Sequence, residues 1–205
     1  MGVSVICLLL SSIIWPGYLS QKNSYEYAAA QYMPTSSSLL PQISSLNTNS
    51  SITNSSPFLT YQNNGALGMT MKYPVNWRTI SLGNKALAFV PPSKGDDFSE
   101  NLVIALFYIN SSVSTNQLSE QAIKNYGTYY NDFFIIGLKP TIFQGGQAYV
   151  LSYEYTNPTV GKILALDIGF KDRNKAYVIS YSAEQPEYHI YMPTVEKMIH
   201  SFHVI

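Results

Sequence analysis

The chain has 205 residues, a formal net charge of zero and only 12% charged residues. Twelve basic and twelve acidic residues leave none of the positive excess that nucleic-acid binding or polybasic attachment to a membrane surface requires. The single cysteine, Cys7, excludes an internal disulfide framework and a cysteine-ligated zinc site. Length and composition together predict one folded domain.

Residues 1–19 hold an apolar run, Val3–Ile14, and carry no charge. This pattern predicts a signal peptide or an N-terminal membrane anchor, and therefore an extracytoplasmic protein that is secreted or tethered to the membrane. No Lys or Arg precedes the run and no small-x-small cleavage site follows it closely, so a cleaved leader and an uncleaved anchor both stay open. A further alternative is an apolar helix inside a cytosolic fold.

Residues 20–57 are rich in Ser, Asn, Thr and Gln, and this composition predicts a flexible tether because it cannot bury enough apolar surface to fold. Asn49 and Asn54 each begin an Asn-Ser-Ser tripeptide, as does Asn110 in the following domain. These tripeptides fit the N-glycosylation acceptor pattern, and we treat the three asparagines as candidate modification sites.

Residues 58–205 show short apolar runs separated by turn residues, which predicts a mainly β domain. Asn63-Asn64-Gly65 and Gly83-Asn84 are hairpin signals between such runs, because Asn and Gly tolerate positive φ. Four later runs are joined by hairpin-sized turns and predict an antiparallel meander. These runs are Phe133–Leu138, Ala148–Thr156, Ile163–Lys171 and Ala176–Ala183.

Two helices are predicted in the domain. Ser114 with Gln117 three residues later forms a capping box that begins the first. The second covers about Glu187–Phe202, where four apolar residues at i, i+3, i+4 and i+7 form one buried stripe. That stripe is Val195, Met198, Ile199 and Phe202. Strands and helices in this order predict an α+β fold in which helices cover an antiparallel sheet.

The sequence contains no Gly-x-Ser-x-Gly elbow, Walker loop or His-Glu-x-x-His motif, and its three histidines all lie in the final 17 residues. We therefore predict that the protein is not an enzyme. An unrecognised hydrolase is the least favoured alternative.

Two side-chain groups are candidate metal sites. Glu196, His200 and His203 are spaced to share one helical face and form a candidate transition-metal site, although an exposed helix flank is the favoured interpretation. Asp96, Asp97 and Glu100 cluster in one loop and form a candidate calcium site, although a solvated turn is the favoured interpretation.

Tyr126, Tyr129, Tyr130, Phe133 and Phe134 form a dense aromatic patch between the first helix and a strand. Such aromatic residues belong more often to a core than to an interface. We predict a core position for the patch, with Tyr129 exposed.

Three short motifs resemble those of one family in the same order. They are Tyr73-Pro74-Val75-Asn76-Trp77, the acidic loop from Asp96 to Ile104, and Gly145-Gly146-Gln147-Ala148-Tyr149. The closing hairpin and amphipathic helix are also in register. Residues 58–205 thus resemble the PsbP family, within the fold shared with Mog1-type proteins. The resemblance implies a sheet of about six antiparallel strands sandwiched by helices.

The best-known member of that family is an extrinsic photosystem II subunit that helps to retain calcium and chloride, whereas prokaryotic relatives are secreted or membrane-tethered. This chain has a neutral Ser/Asn tether where the photosynthetic protein has a basic docking segment. The resemblance therefore implies the fold and an extracytoplasmic location. We expect a monomeric, non-enzymatic accessory domain that binds a membrane or envelope protein complex and no nucleic acid, with an extracytoplasmic metal-binding protein as the alternative.

Overall fold

The computed structural model describes residues 57–92, 95, 98 and 100–205. The predicted leader and the predicted tether up to residue 56 lie outside the described residues, and so do Asp96 and Asp97. Within the described ranges, no helix has both the length and the apolarity needed to cross a bilayer.

The described residues form ten strands and two helices. The strands are β1 (Phe58–Asn63), β2 (Met69–Pro74), β3 (Arg78–Ser81), β4 (Ala86–Val90), β5 (Asn101–Tyr108), β6 (Asn131–Phe143), β7 (Gly146–Asn157), β8 (Gly161–Asp172), β9 (Lys175–Glu184) and β10 (His203–Val204). The helices are α1 (Thr115–Tyr129) and α2 (Tyr188–His200).

Two antiparallel sheets organise the domain. The larger has seven strands in the order β3-β4-β5-β9-β8-β7-β6, and the smaller has three in the order β1-β2-β10. The predicted α+β class with an antiparallel sheet is confirmed. The larger sheet has seven strands rather than about six. The first hairpin, β1 and β2, lies in the smaller sheet, where β10 pairs with the other edge of β2.

The predicted hairpins and the meander are confirmed, with small shifts at the turns. β6 and β7 are joined at Gln144 and Gly145, both at positive φ, so Gly146 already belongs to β7. β6 extends beyond the predicted end at Leu138 and runs through Pro140. A proline is tolerated there because β6 is an edge strand and its missing N–H breaks no internal ladder.

The capping box that begins α1 is confirmed. The Gln117 backbone N–H donates to Ser114 Oγ at 3.2 Å, and the Ser114 backbone N–H donates to Gln117 Oε1 at 2.9 Å. The second predicted helix ends two residues early, at His200. Phe202 is nevertheless fully buried, so the predicted apolar stripe is present with its final member beyond the helix.

The two faces of the larger sheet have different partners. α2 packs against β9 and β2 on one face, whereas α1 packs against β6, β7 and β8 on the other. Because side chains alternate along a strand, Leu166, Ile168 and Phe170 of β8 belong to the core on the α2 side. Asp167 and Gly169 lie between them in sequence and therefore face α1.

Replacing Ser114 with alanine should lower the free energy of unfolding by about 1 kcal/mol, because the first turn of α1 loses its side-chain acceptor. Urea denaturation of the variant and of the wild type measures the difference. The matched control is Ser111→Ala, because Ser111 is an exposed serine in the loop just before α1. This variant should change stability by less than about 0.5 kcal/mol. Equal losses in the two variants would contradict the capping role.

Candidate functional site

Asp167, in the middle of β8, is a completely buried carboxylate within the apolar run from Ile163 to Phe170. Its place in the alternation of β8 directs it towards α1. A carboxylate removed from water is unfavourable unless hydrogen bonds or a positive charge compensate it. Its contacts therefore determine what this part of the fold can do.

Three hydroxyl groups from three elements surround the Asp167 carboxylate. The Tyr126 hydroxyl of α1 donates to Oδ2 at 2.5 Å, and the Tyr153 hydroxyl of β7 lies 3.5 Å from Oδ1. Ser180, the cross-strand neighbour of Asp167 on β9, also forms a side-chain hydrogen bond with it. Asp167 thus joins α1 to the centre of the sheet.

Burial raises the pKa of Asp167 from 3.8 to about 6, although the hydrogen bonds from Tyr126, Ser180 and Tyr153 oppose the rise. Burial, followed by the negative charge of Asp167, raises the pKa of both Tyr126 and Tyr153, so both hydroxyls stay protonated. Among the described residues, no lysine, arginine or histidine forms an ion pair with Asp167. Hydroxyl groups rather than a cation stabilise its charge.

Aromatic rings enclose this group on the helix side. Tyr126 stacks on Tyr153 with ring centroids 5.0 Å apart, and Tyr130 stacks on Tyr155 at 4.0 Å. Tyr126 and Tyr130 are thus core residues as predicted, and Tyr129 is exposed as predicted, at 56%.

Two phenylalanines complete the predicted aromatic patch. Phe133 packs against the same core, 5.4 Å from the Tyr153 ring centroid. The core prediction is wrong for Phe134, which is about half exposed. Neighbouring residues of a strand point to opposite faces, so only one of the pair can meet α1.

A cavity of about 70 Å³ lies between α1 and the sheet beside Asp167. The three residues that donate hydrogen bonds to Asp167 all line it, together with Gly169. A Cβ at Gly169 would overlap the Tyr149 ring, so the absence of a side chain lets that ring lie flat across β8. Gly169 therefore makes room for the Tyr149 ring beside this cavity.

The three members of the predicted transition-metal site lie on two elements. Glu196 and His200 are one turn apart on α2, and His200 Nδ1 donates to the Glu196 carbonyl at 2.7 Å. His203 lies beyond the helix on β10, with Nδ1 3.2 Å from Gln144 Oε1. No three His, Cys, Asp or Glu side chains of the described residues are grouped to hold a metal ion. The transition-metal site stays a prediction.

Glu100 is the one member of the predicted calcium site that the structure describes, and it is buried just before β5. Asp96 and Asp97 lie outside the described residues, so the calcium site stays a prediction.

Asn110 is exposed in the turn before α1, where its Oδ1 accepts hydrogen bonds from the backbone N–H and the hydroxyl of Ser112, each at 3.0 Å. Asn49 and Asn54 lie outside the described residues. Glycosylation of the three asparagines stays a prediction.

Sequence reasoning missed Asp167, Tyr153 and Ser180. A signal was present, because Asp167 is the one charged residue between Ile163 and Phe170. Charged residues are rarely buried without a partner, so an acid in the middle of such a run indicates a special environment. Its partner Tyr126 lies 41 residues away, and no local pattern joins the two.

The free energy of unfolding should fall as pH rises from about 4 to about 7. The folded chain holds a proton on Asp167 up to pH about 6, whereas the unfolded chain loses it near 3.8, so the folded state binds more protons in this window. The pKa difference corresponds to about 3 kcal/mol. Urea denaturation across this pH range should show a flatter profile for Asp167→Asn than for wild type.

Asp172→Asn is the matched control, because Asp172 ends the same strand and is only half-buried. Its profile should follow that of the wild type. A wild-type profile that Asp167→Asn does not flatten would contradict the assigned role of the buried carboxylate.

Both the sequence and the fold resemble those of known proteins. A family model described as PsbP-like protein matches residues 31–204. The solution structure of cyanobacterial PsbP (CyanoP) from Synechocystis is 16% identical and covers 78% of this chain and 99% of its own, with a TM-score of 0.57. No curated protein matches the chain.

Two other solved structures share the fold. LpqN of Mycobacterium tuberculosis, described as involved in cell envelope biogenesis, is 13% identical and covers 73% of this chain and 86% of its own, with a TM-score of 0.52. The Ran-binding protein Mog1p of Saccharomyces cerevisiae is 10% identical and covers 73% and 96%, with a TM-score of 0.51.

Because the sequence identities are low, the structural similarities show only that the fold is shared. The family match shows the family, since it spans well over half of the sequence. It begins at residue 31, inside the segment predicted to be a tether, so the domain division at residue 57 stays a prediction. The resemblance found in the sequence motifs is confirmed: the chain belongs to the PsbP-like protein family.

Proposed function

We propose that the protein is an exported, non-enzymatic accessory protein that acts at the outer face of a membrane by binding a membrane or envelope protein complex. The observation that carries the proposal is the PsbP-like family match over residues 31–204. The apolar run Val3–Ile14 supports export, because it has the composition of a leader or an anchor.

The printed descriptions of two structural relatives support parts of this proposal. Mog1p is described as a Ran-binding protein, and LpqN is described as involved in cell envelope biogenesis. One protein of this fold is thus described as binding a protein partner, and another as acting in envelope biogenesis. We propose both properties for this chain.

The surface that we assign to the partner is the exposed edge strand β6. Leu138 is 42% exposed and Ile142 is 69% exposed, and the register pairs them with Leu151 and Gln147 on the same face of β7. Pro140, also exposed, lies between them and has no N–H to offer to an added strand. Contact through apolar side chains therefore fits this edge better than strand addition.

Electrostatic attraction contributes little to this docking. The chain has no net charge, and the exposed residues named above on this face of β6 and β7 are uncharged. Binding that rests on apolar contact should persist at high salt, whereas binding through charged surfaces weakens as ions screen it.

Replacing both Leu138 and Ile142 with aspartate should abolish the association, because two charges would be buried at the interface. The full chain is expressed in a native-like host, and its membrane fraction is solubilised in mild detergent. Native gel mobility then distinguishes a complex from the free protein. The wild type should migrate as a complex at both 50 mM and about 500 mM salt, and the double variant should migrate alone.

Ile190→Asp is the matched control, since Ile190 is 63% exposed on α2 and away from β6. It should leave the complex intact. Protease added to intact cells should digest the wild-type domain if it is exported. A domain that is protected from the protease and free in the cytosol would contradict the proposal, and loss of the complex in both variants would contradict the assigned surface.

A further inference from the structure

The cavity beside Asp167 has two kinds of wall. One is apolar and includes Val103, Ala105 and Phe107 of β5. The other is built by the Asp167-bonded residues Tyr126, Tyr153 and Ser180. A cavity with an apolar wall and a few convergent polar groups is typical of a site for a small ligand.

The polar wall has a defined hydrogen-bonding character. The hydroxyls of Tyr126, Tyr153 and Ser180 are turned towards Asp167, and each hydroxyl carries only one proton to donate. Their oxygens therefore offer lone pairs, not protons, to the cavity, and the carboxylate behind them strengthens those acceptors. A matching ligand must donate hydrogen bonds.

The charge of the site also selects the ligand. Asp167 is wholly buried, and the described residues provide no basic side chain as its ion-pair partner. A positive ligand would add a charge of the opposite sign to the stabilisation that the hydroxyl groups give. The Asp167 carboxylate would repel an anion. A neutral ligand that only accepts hydrogen bonds would leave the hydroxyl oxygens without a donor.

The size of the cavity limits the ligand to a few atoms. Its volume of about 70 Å³ is roughly half that of a cavity that holds benzene. About three non-hydrogen atoms therefore fit inside. Several lining residues are half-buried, Gln121 and Asn125 of α1 among them, so the cavity is open to solvent and a longer chain could leave it.

From these features we propose that the cavity beneath α1 binds a small primary ammonium ion. The ammonium group donates its N–H bonds to the hydroxyl oxygens of Tyr126, Tyr153 and Ser180, and its short alkyl chain lies against the apolar wall. The ligand class is an aliphatic primary amine or the amino end of a longer one. This site is independent of the partner surface on β6.

Ethylammonium chloride is the probe, and ethanol and sodium acetate are the neutral and anionic comparisons of similar size. Each is titrated into the isotopically labelled full chain in detergent, and amide NMR shifts are followed at Gly169 of β8 and at Gln121 and Asn125 of α1. A ligand of three non-hydrogen atoms should bind with a Kd on the order of 1 mM. Potassium chloride at equal ionic strength serves as the salt control.

Ethylammonium should shift these amides with saturation, whereas ethanol and acetate should bind at least tenfold more weakly. Asp167→Asn should weaken ethylammonium at least tenfold and Ser180→Ala several-fold. The matched control is Ser152→Ala, since Ser152 is buried in β7 and bonds to the Gly137 carbonyl instead. It should leave the Kd unchanged.

Lowering the pH from 7 to 5 should weaken binding about tenfold, since Asp167, with its pKa of about 6, then gains a proton. The hydroxyls that bond to it are those of Tyr126 on α1, Tyr153 on β7 and Ser180 on β9. Its charge also acts on four further tyrosines, which are Tyr130 just after α1, Tyr149 and Tyr155 on β7, and Tyr188 on α2. Burial and the Asp167 charge raise the pKa of all six tyrosines, so none of them titrates in this range.

Several results would overturn the proposal. Equal affinities for ethanol and ethylammonium would show an apolar cavity without charge selection. Saturating shifts with potassium chloride would show a site for inorganic cations instead. Unchanged binding in Ser180→Ala together with a flat pH profile would overturn it even if Asp167→Asn failed to fold.

Discussion

The hydrogen bond from Tyr126 to Asp167 fixes α1 on the larger sheet. α1 has few other polar contacts with that sheet, one being from Thr115 Oγ1 to the Gln147 carbonyl at 3.4 Å. Most of its attachment is apolar and aromatic, and such packing specifies position less sharply than a buried hydrogen bond does. The orientation of α1, the shape of the cavity and the enclosure of the carboxylate all depend on this contact.

The two faces of the larger sheet satisfy their buried tyrosines in different ways. On the α2 side, Tyr177 donates to the Leu67 carbonyl at 2.8 Å and Tyr181 to the Tyr188 carbonyl at 2.9 Å. Backbone carbonyls do not titrate, so these contacts hold at any ordinary pH. On the α1 side the acceptor is a carboxylate, whose charge changes near neutral pH. The domain thus combines one permanent face with one that responds to protons.

Much of the fold follows from local signals in the sequence. The capping box at Ser114, the hairpin turns and the buried stripe of α2 each depend on residues within one or two turns of one another. The sequence did not predict that β6 continues through Pro140. A proline is tolerated in this strand because β6 lies at the edge of the sheet, and only the assembled sheet defines that position. The pairing of β10 with β2 was also hidden, since two residues are too few to show a strand pattern. Asp167 stands out in the sequence, but the hydroxyls that stabilise it come from three separate elements.

The closure of the small sheet has a consequence for how the protein is made. β2 receives β10 as its second neighbour, and Ser201 Oγ accepts a hydrogen bond from the Lys72 backbone N–H across a separation of 129 residues. Contacts between such distant positions are slow to form, because closing the long intervening loop lowers the entropy of the chain. The domain therefore cannot complete its core until residues 201–204 have emerged from the ribosome. A chain that stops before Ser201 would lack both contacts and would leave one edge of β2 without its partner strand.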